Sequence, residues 1–293
     1  MRIKVVDSIV YEVLLSLSLY KRQTHLKYLG ISKNWFIETK EKISEELHNG
    51  IEGLEDLQFE DLSVHLIENC PSKDFSGYCS WLAGLSLGAL YEMLSPFVNE
   101  KRPMPANLEQ RKQQHLTLLS MWYEEYFSEI EGELAAVLKA ESQQVEETAI
   151  NGKSFSWIEE ITKGFQIEGL GCSEAVLFPS WHFRPLSLID VFNHKAVLTF
   201  PCSMGDKEEA LLITKALAEE KRLEMLSHMK SKEKTFTELV GIMGMSKGNI
   251  HHHLLLLRSA GLLRIIPTRQ DYFLYGFRTS QVEALLSLLL KIG

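Results

Sequence analysis

Apolar residues recur at helical spacing through most of the first two hundred positions. Between Leu108 and Lys139, the residues Leu116, Leu119, Trp122, Tyr123, Tyr126, Phe127 and Ile130 follow three- and four-residue intervals, which predicts one long helix. Ser32 stands where it caps a helix running to about His48, with Trp35, Phe36, Ile43 and Leu47 on its apolar side. Phe75–Leu94 is a very apolar helix ended by Pro96. Its uncharged part, Phe75–Tyr91, is 17 residues long, short of the roughly 20 a membrane span needs. It reads as a buried core helix, in which Gly84 and Gly88 mark close helix packing. Lys101–Ala106, with two prolines, is a linker, and Ser154–Gly164 is a short helix with glycine near its end.

The period then changes. Glu174–Trp181 and Lys195–Phe200 have the character of short strands set off by proline turns. Gly205 precedes a new charged amphipathic segment, and the domain boundary is placed there. Residues 1–205 form a mainly helical domain with a small β element, and residues 206–293 a second, α+β domain.

In the second domain Asp206 is positioned to cap a helix containing Leu211, Leu212, Ile213 and Leu217, followed by a helix with Leu223, Met225 and Leu226. Thr235 with Glu238 three residues on has the form of a capping box. Gly244 supports a tight turn between crossing helices, and Ser246 caps the next helix. There Ile250, His253, Leu254 and Leu257 share one face, and Lys247, Gly248, Asn249, His251, His252 and Arg258 the opposite one. Gly261 ends the helix. Leu262–Ile266 and Tyr272–Phe277 flank a polar tip at 267–271, the shape of a wing. The final segment, Ser280–Ile292, is too apolar for an isolated surface helix and calls for a partner. The whole reads as a winged helix-turn-helix.

Charge sharpens this division. The net charge is −8, yet residues 206–293 hold 13 basic and 10 acidic residues against 18 and 29 before them. Leu239–Gln270 contains no acid while carrying Lys247, Arg258, Arg264 and Arg269, a pattern suited to a polyanion. The composition, 45% hydrophobic and 24% charged, supplies ample material to bury and excludes disorder as the dominant state. Cys70, Cys79, Cys172 and Cys202 form no CxxC pair and suit free thiols in a reducing cytosol. Consecutive helical residues diverge by about 100°, so His251–His253 do not converge on one ion. The spacing of His65, Glu68, Cys70 and Cys79 matches no standard metal site. His182 and Arg184, between Trp181 and Pro185, read as a polar turn with an anion site as the alternative. No nucleophile elbow, HExxH or P-loop occurs, so no catalytic residue, cofactor or metal is assigned.

Two stretches resemble the ArsR-type winged-helix regulators. Ala216–Leu226, reading ALAEEKRLEML, is similar to their ALADPTRLRIL opening. Met245–Leu263, reading MSKGNIHHHLLLLRSAGLL, is similar to their LSQSTVSHHLKLLREAGLV segment. The resemblance implies a dimer built from the first and last helices of this domain, and DNA recognition by Ser246–Leu257 and the wing. The family's cysteine pair is missing from TELVGIM, and Ser280–Ile292 carries no His, so its metal-sensing chemistry is not expected. The expectation is a cytoplasmic, homodimeric transcription regulator, not an enzyme. It binds double-stranded DNA through Ser246, Lys247, Gly248, Asn249, His251, His252, Arg258, Arg264 and Arg269. The N-terminal domain receives a small-molecule effector or a protein partner. The alternatives are a winged helix that binds protein, and an N-terminal enzyme fused to a DNA-binding domain.

Overall fold

The chain opens on a strand, β1 (Arg2–Val5), and a helix, α1 (Ile9–Arg22), in the computed structural model, which describes residues 1–149 and 152–291. Ser8 caps α1 by accepting from the Tyr11 N–H at 3.2 Å, and Val10, Val13 and Leu17 bury its apolar sides. Where one helix from Ser32 is expected there are two, α2 (Trp35–Lys42) and α3 (Glu45–Glu52). The backbone is extended at Ile43, and Ser44 restarts the helix by accepting from the Leu47 N–H at 3.2 Å. Glu125 accepts from both the N–H and the hydroxyl of Ser44, fixing the break.

Helix α4 (Gln58–Asn69) leads to α5 (Phe75–Gly84) and α6 (Leu87–Leu94), which replace the single helix expected over 75–94. Ser86 caps α6, and a capping serine inside an apolar run favours a restart over continuation. Gly84 and Gly88 do not mark close packing: both are exposed, with nothing within 4 Å of where a Cβ would stand. The pair is buried on one side only, through Phe75, Tyr78, Leu82, Leu90 and Leu94.

The long helix expected over 108–139 is also divided. Helix α7 (Leu108–Trp122) passes into a π-helical turn at Tyr123–Phe127, closed by the Ser128 N–H donating to the Tyr123 carbonyl at 2.7 Å. A break at Ile130 precedes α8 (Glu131–Glu147). Trp122, Tyr126 and Phe127, at and around this wider turn, are all buried in the core. The short helix expected over Ser154–Gly164 is α9 (Phe155–Ile161), capped by Ser154.

Strands β2 (Glu174–Ser180), β3 (Ile189–Phe192) and β4 (Lys195–Pro201) join β1 in a sheet of order β1-β2-β4-β3. β1 and β4 run parallel to β2, and β3 is antiparallel to β4. One face, with Val176, Phe178 and Val197, closes the helical core over α1, α4 and α7. The other, with Ala175, Leu177, Ala196, Leu198 and Phe200, enters a second core.

That second core is completed by the C-terminal segment: α10 (Asp206–Leu217), α11 (Glu220–Lys230), β5 (Lys234–Thr235), α12 (Phe236–Met243), α13 (Lys247–Ser259), β6 (Leu263–Pro267), β7 (Phe273–Phe277) and α14 (Ser280–Lys291). Gly205, not Asp206, holds the cap position of α10, and Ile292 lies outside the described residues. The strands pair in the order β5-β7-β6, and residues 164–166 add to the β6 edge: Gln166 N–H donates to Ile265 O at 2.9 Å and Ile265 N–H to Gly164 O at 2.7 Å. Gly164 takes φ +131°, and a Cβ there would run into the Leu263 carbonyl, so only glycine allows this approach. Side chains and backbone from both sides of Gly205 therefore share one hydrophobic core.

Candidate nucleic-acid interface

Helix α12, the turn at Gly244 and helix α13 form the helix-turn-helix. The capping box is complete, with Thr235 Oγ1 accepting from the Glu238 N–H at 3.1 Å and Glu238 accepting from the Thr235 N–H at 2.7 Å. Gly244 turns the chain at φ +60°, and Ser246 caps α13 by accepting from the Asn249 N–H at 3.2 Å. Ile250, Leu254 and Leu257 anchor the inner face, and His253 is buried beside them.

The outer side of the first turns is open. Ser246, Lys247, Gly248, Asn249 and His251 are all exposed, and Lys247 has no ion pair among the described residues. The positive end of the helix dipole, an unpaired lysine and side chains that both donate and accept thus share one exposed end.

The second half of α13 differs from the expectation. The Tyr28 hydroxyl, in a 3-10 turn Leu26–Tyr28, lies 2.7 Å from His252 Nδ1, and the rings of His25 and His251 lie 6.0 Å apart. Burial, with Lys27 nearby, lowers the pKa of His252. Leu255 is buried in the N-terminal helical core. Arg258 turns inward, donating to the Ser187 carbonyl with its guanidinium 5.2 Å from the Phe165 ring centroid. Burial pushes its pKa down to about 10. The helix phase that places Arg258 on the outer side holds, but at this end the outer side is an interior contact.

The wing is tied down in the same way. Arg264 Nε donates to Glu159 at 3.0 Å, which neutralises it. Arg269 is exposed at the tip but donates to the Leu170 carbonyl at 3.2 Å, and Asp271 pairs with Lys101. Lys27, beside Tyr28, is an exposed cation next to α13 that the sequence reading did not select. Nothing in its local pattern distinguishes it from other surface lysines.

His182 and Arg184 make no open anion site. His182 is fully buried, with Nδ1 2.6 Å from Glu12 and Nε2 2.9 Å from the Tyr126 hydroxyl, and Arg184 lies 3.9 Å over the Trp181 ring. His65 is buried with both ring nitrogens unpartnered among the described residues, its ring centroid 3.5 Å from that of Phe97.

A helix-turn-helix followed by a two-stranded wing defines a winged-helix domain of the DNA-binding class. Residues 211–264 match the family described as bacterial regulatory protein, arsR family, which makes this segment an ArsR-type winged helix and supports, at family level, a DNA-binding transcription regulator. No curated protein matches the chain. Similar solved structures include an ArsR-like transcriptional regulator from Rhodococcus sp. RHA1, at 22% identity and TM-score 0.28, covering 31% of this chain and 84% of that one. HlyU from Vibrio cholerae N16961 is 27% identical with TM-score 0.25, covering 31% and 97%. HlyU from Vibrio vulnificus CMCP6 is 28% identical with TM-score 0.24, covering 30% and 90%.

Proposed function

We propose that the protein regulates transcription by binding duplex DNA as a homodimer, with the first turns of α13 in the major groove and the wing tip against the backbone or minor groove beside it. The observation that carries this reading is the exposed end of α13, where Lys247, Asn249 and His251 stand together on a rigid, capped helix. Asn and Lys are suited to base edges, and Ser246 and the first N–H groups to phosphate. The site set is accordingly Ser246, Lys247, Gly248, Asn249 and His251, with Arg269 at the wing. Arg258 and Arg264 serve the internal contact instead.

Helices α10 and α14 supply the dimer surface in this reading. Leu211 on α10 and Val282, Leu286, Leu289 and Leu290 on α14 are exposed, Leu290 at 79%. The N-terminal region acts by binding an effector, without turnover, in a reducing cytosol.

The test is selection of bound fragments from the source genome, followed by gel-shift titration on the selected operator over a range of salt. Lys247→Ala is expected to weaken binding and to reduce the slope of log affinity against log salt by about 1, the loss of one phosphate contact. An unchanged slope and midpoint for Lys247→Ala and Asn249→Ala together would remove α13 from the interface. Association that does not respond to salt would favour a protein partner.

A further inference from the structure

Between α1, α4 and the β3–β4 face of the sheet lies a cavity of about 220 Å³. Cavities of about 150 Å³ already hold a benzene ring. Leu14, Val64 and Phe192 line its body with apolar surface. Asp190 and Tyr11 supply its polar wall. One oxygen of Asp190 accepts from Arg102 at 2.6 Å and from the Val191 N–H at 3.1 Å, while the other has no partner among the described residues. The Tyr11 hydroxyl likewise makes no hydrogen bond among the described residues, although burial and nearby acids hold the phenol firmly protonated. At the mouth Arg22 is already engaged, its Nη2 donating to both oxygens of Asp61 at 2.7 and 2.8 Å. Glu60 lies 3.2 Å from His115. The balance of charge around the space is negative, and no free cation faces it among the described residues.

The cavity also lies between the two places where the N-terminal region holds the DNA-reading elements. At one end, Arg22 is the last residue of α1, and the chain then passes through Gln23 and His25, both at positive φ, into the turn whose Tyr28 meets His252. At the other, Asp190 grips Arg102, the neighbour of Lys101, which pairs with Asp271 on the wing. Asp190 also lines a second space beside the wing.

We propose that this cavity binds a small amphipathic cation, a primary amine on a compact apolar body, and that its occupancy is read by α13 through the His25–Tyr28 turn and by the wing through Arg102 and Lys101. The ammonium donates to the free oxygen of Asp190 and to Tyr11 Oη, and the apolar body fills the space between α1 and the sheet. The coupling half rests on the regulator reading above; the binding half does not.

The probe is 2-phenylethylamine, with 3-phenylpropionate as the anionic counterpart, titrated calorimetrically into the full-length protein. Saturable binding of the amine and none of the anion is expected, with at least ten-fold weaker binding in Asp190→Asn. The near-isosteric Tyr11→Phe, checked for an unchanged melting profile, is expected to bind several-fold more weakly. Absence of saturable amine binding to the wild type, equal affinity in both variants, or preference for the anion overturns the site. On the selected operator, saturating amine is expected to move the wild-type midpoint several-fold. Amine binding with an unmoved midpoint overturns the coupling alone. A protein that retains no operator at any amine concentration overturns the regulator reading, and the calorimetry still decides the cavity.

Discussion

Glu12 shows what a single side chain holds in this structure. It is wholly buried, and its Oε1 lies 2.8 Å from the His182 backbone nitrogen, 3.0 Å from that of Trp181 and 2.6 Å from His182 Nδ1. From there the network runs through the Tyr126 hydroxyl to Trp35 Nε1, joining α1, the π-helical turn, α2 and the end of β2. Glu12→Ala would leave buried donors unpaired and is expected to cost about 3–5 kcal/mol in a denaturant titration. Two histidines with lowered pKa work against stability in acid. Burial lowers His65 to about 2 and His25 to about 4 from an ordinary 6.5. Below 6.5 the unfolded chain binds more protons than the folded one, so this stability is full above 6.5 and falls as pH drops toward those values. The melting temperature is expected to decline between pH 7 and pH 5, and less steeply in His65→Phe. An identical slope in that variant would show that His65 does not carry the effect.

At the scale of elements, α13 and α14 answer to different surroundings. Helix α13 carries four consecutive leucines, Leu254–Leu257, where the ArsR-type segment has a lysine at the position of Leu255. A lysine is a residue suited to water; here Leu255 meets the helical core. The substitution is the one sequence feature that foretells the cover on α13, and it acquires meaning only when both faces are assigned. Helix α14 packs on α10, buries Leu288 in the second core and leaves Leu286 at 64% and Leu290 at 79% exposed. The double variant Leu286→Asp, Leu290→Asp is expected to sediment as a monomer at micromolar concentration and to lose most operator affinity, since paired half-sites need paired helices. A dimer that persists in that variant would place the interface elsewhere.

The whole molecule is organised by the sheet, which is apolar on both faces and so needs cover on both. Helices α1, α4 and α7 supply one cover and the winged helix the other, with ion pairs Arg264–Glu159, Lys163–Glu209 and Arg278–Glu160 along the seam. Local chemistry was sufficient for the winged helix: a capping box, a glycine at positive φ, a serine cap and a hairpin each act within a few residues, and so the helix-turn-helix and its exposed end were legible in the chain. It was sufficient also for β2 and β4, whose continuous apolar runs mark strands buried on both faces. It did not reach β1 and β3, four residues each, which are strands because β2 and β4 present edges to pair with. Nor did it decide the breaks at Ile43, Leu85 and Ile130, or the fate of Arg258, Arg264 and His252. Those side chains have the right type and phase for DNA, but which neighbour claims them depends on groups more than seventy, and in one case over two hundred, positions away. Sequence determines an element through contacts made within a turn or two; whether an outward face meets water, nucleic acid or the rest of the chain is fixed only when distant segments compete for the same surface.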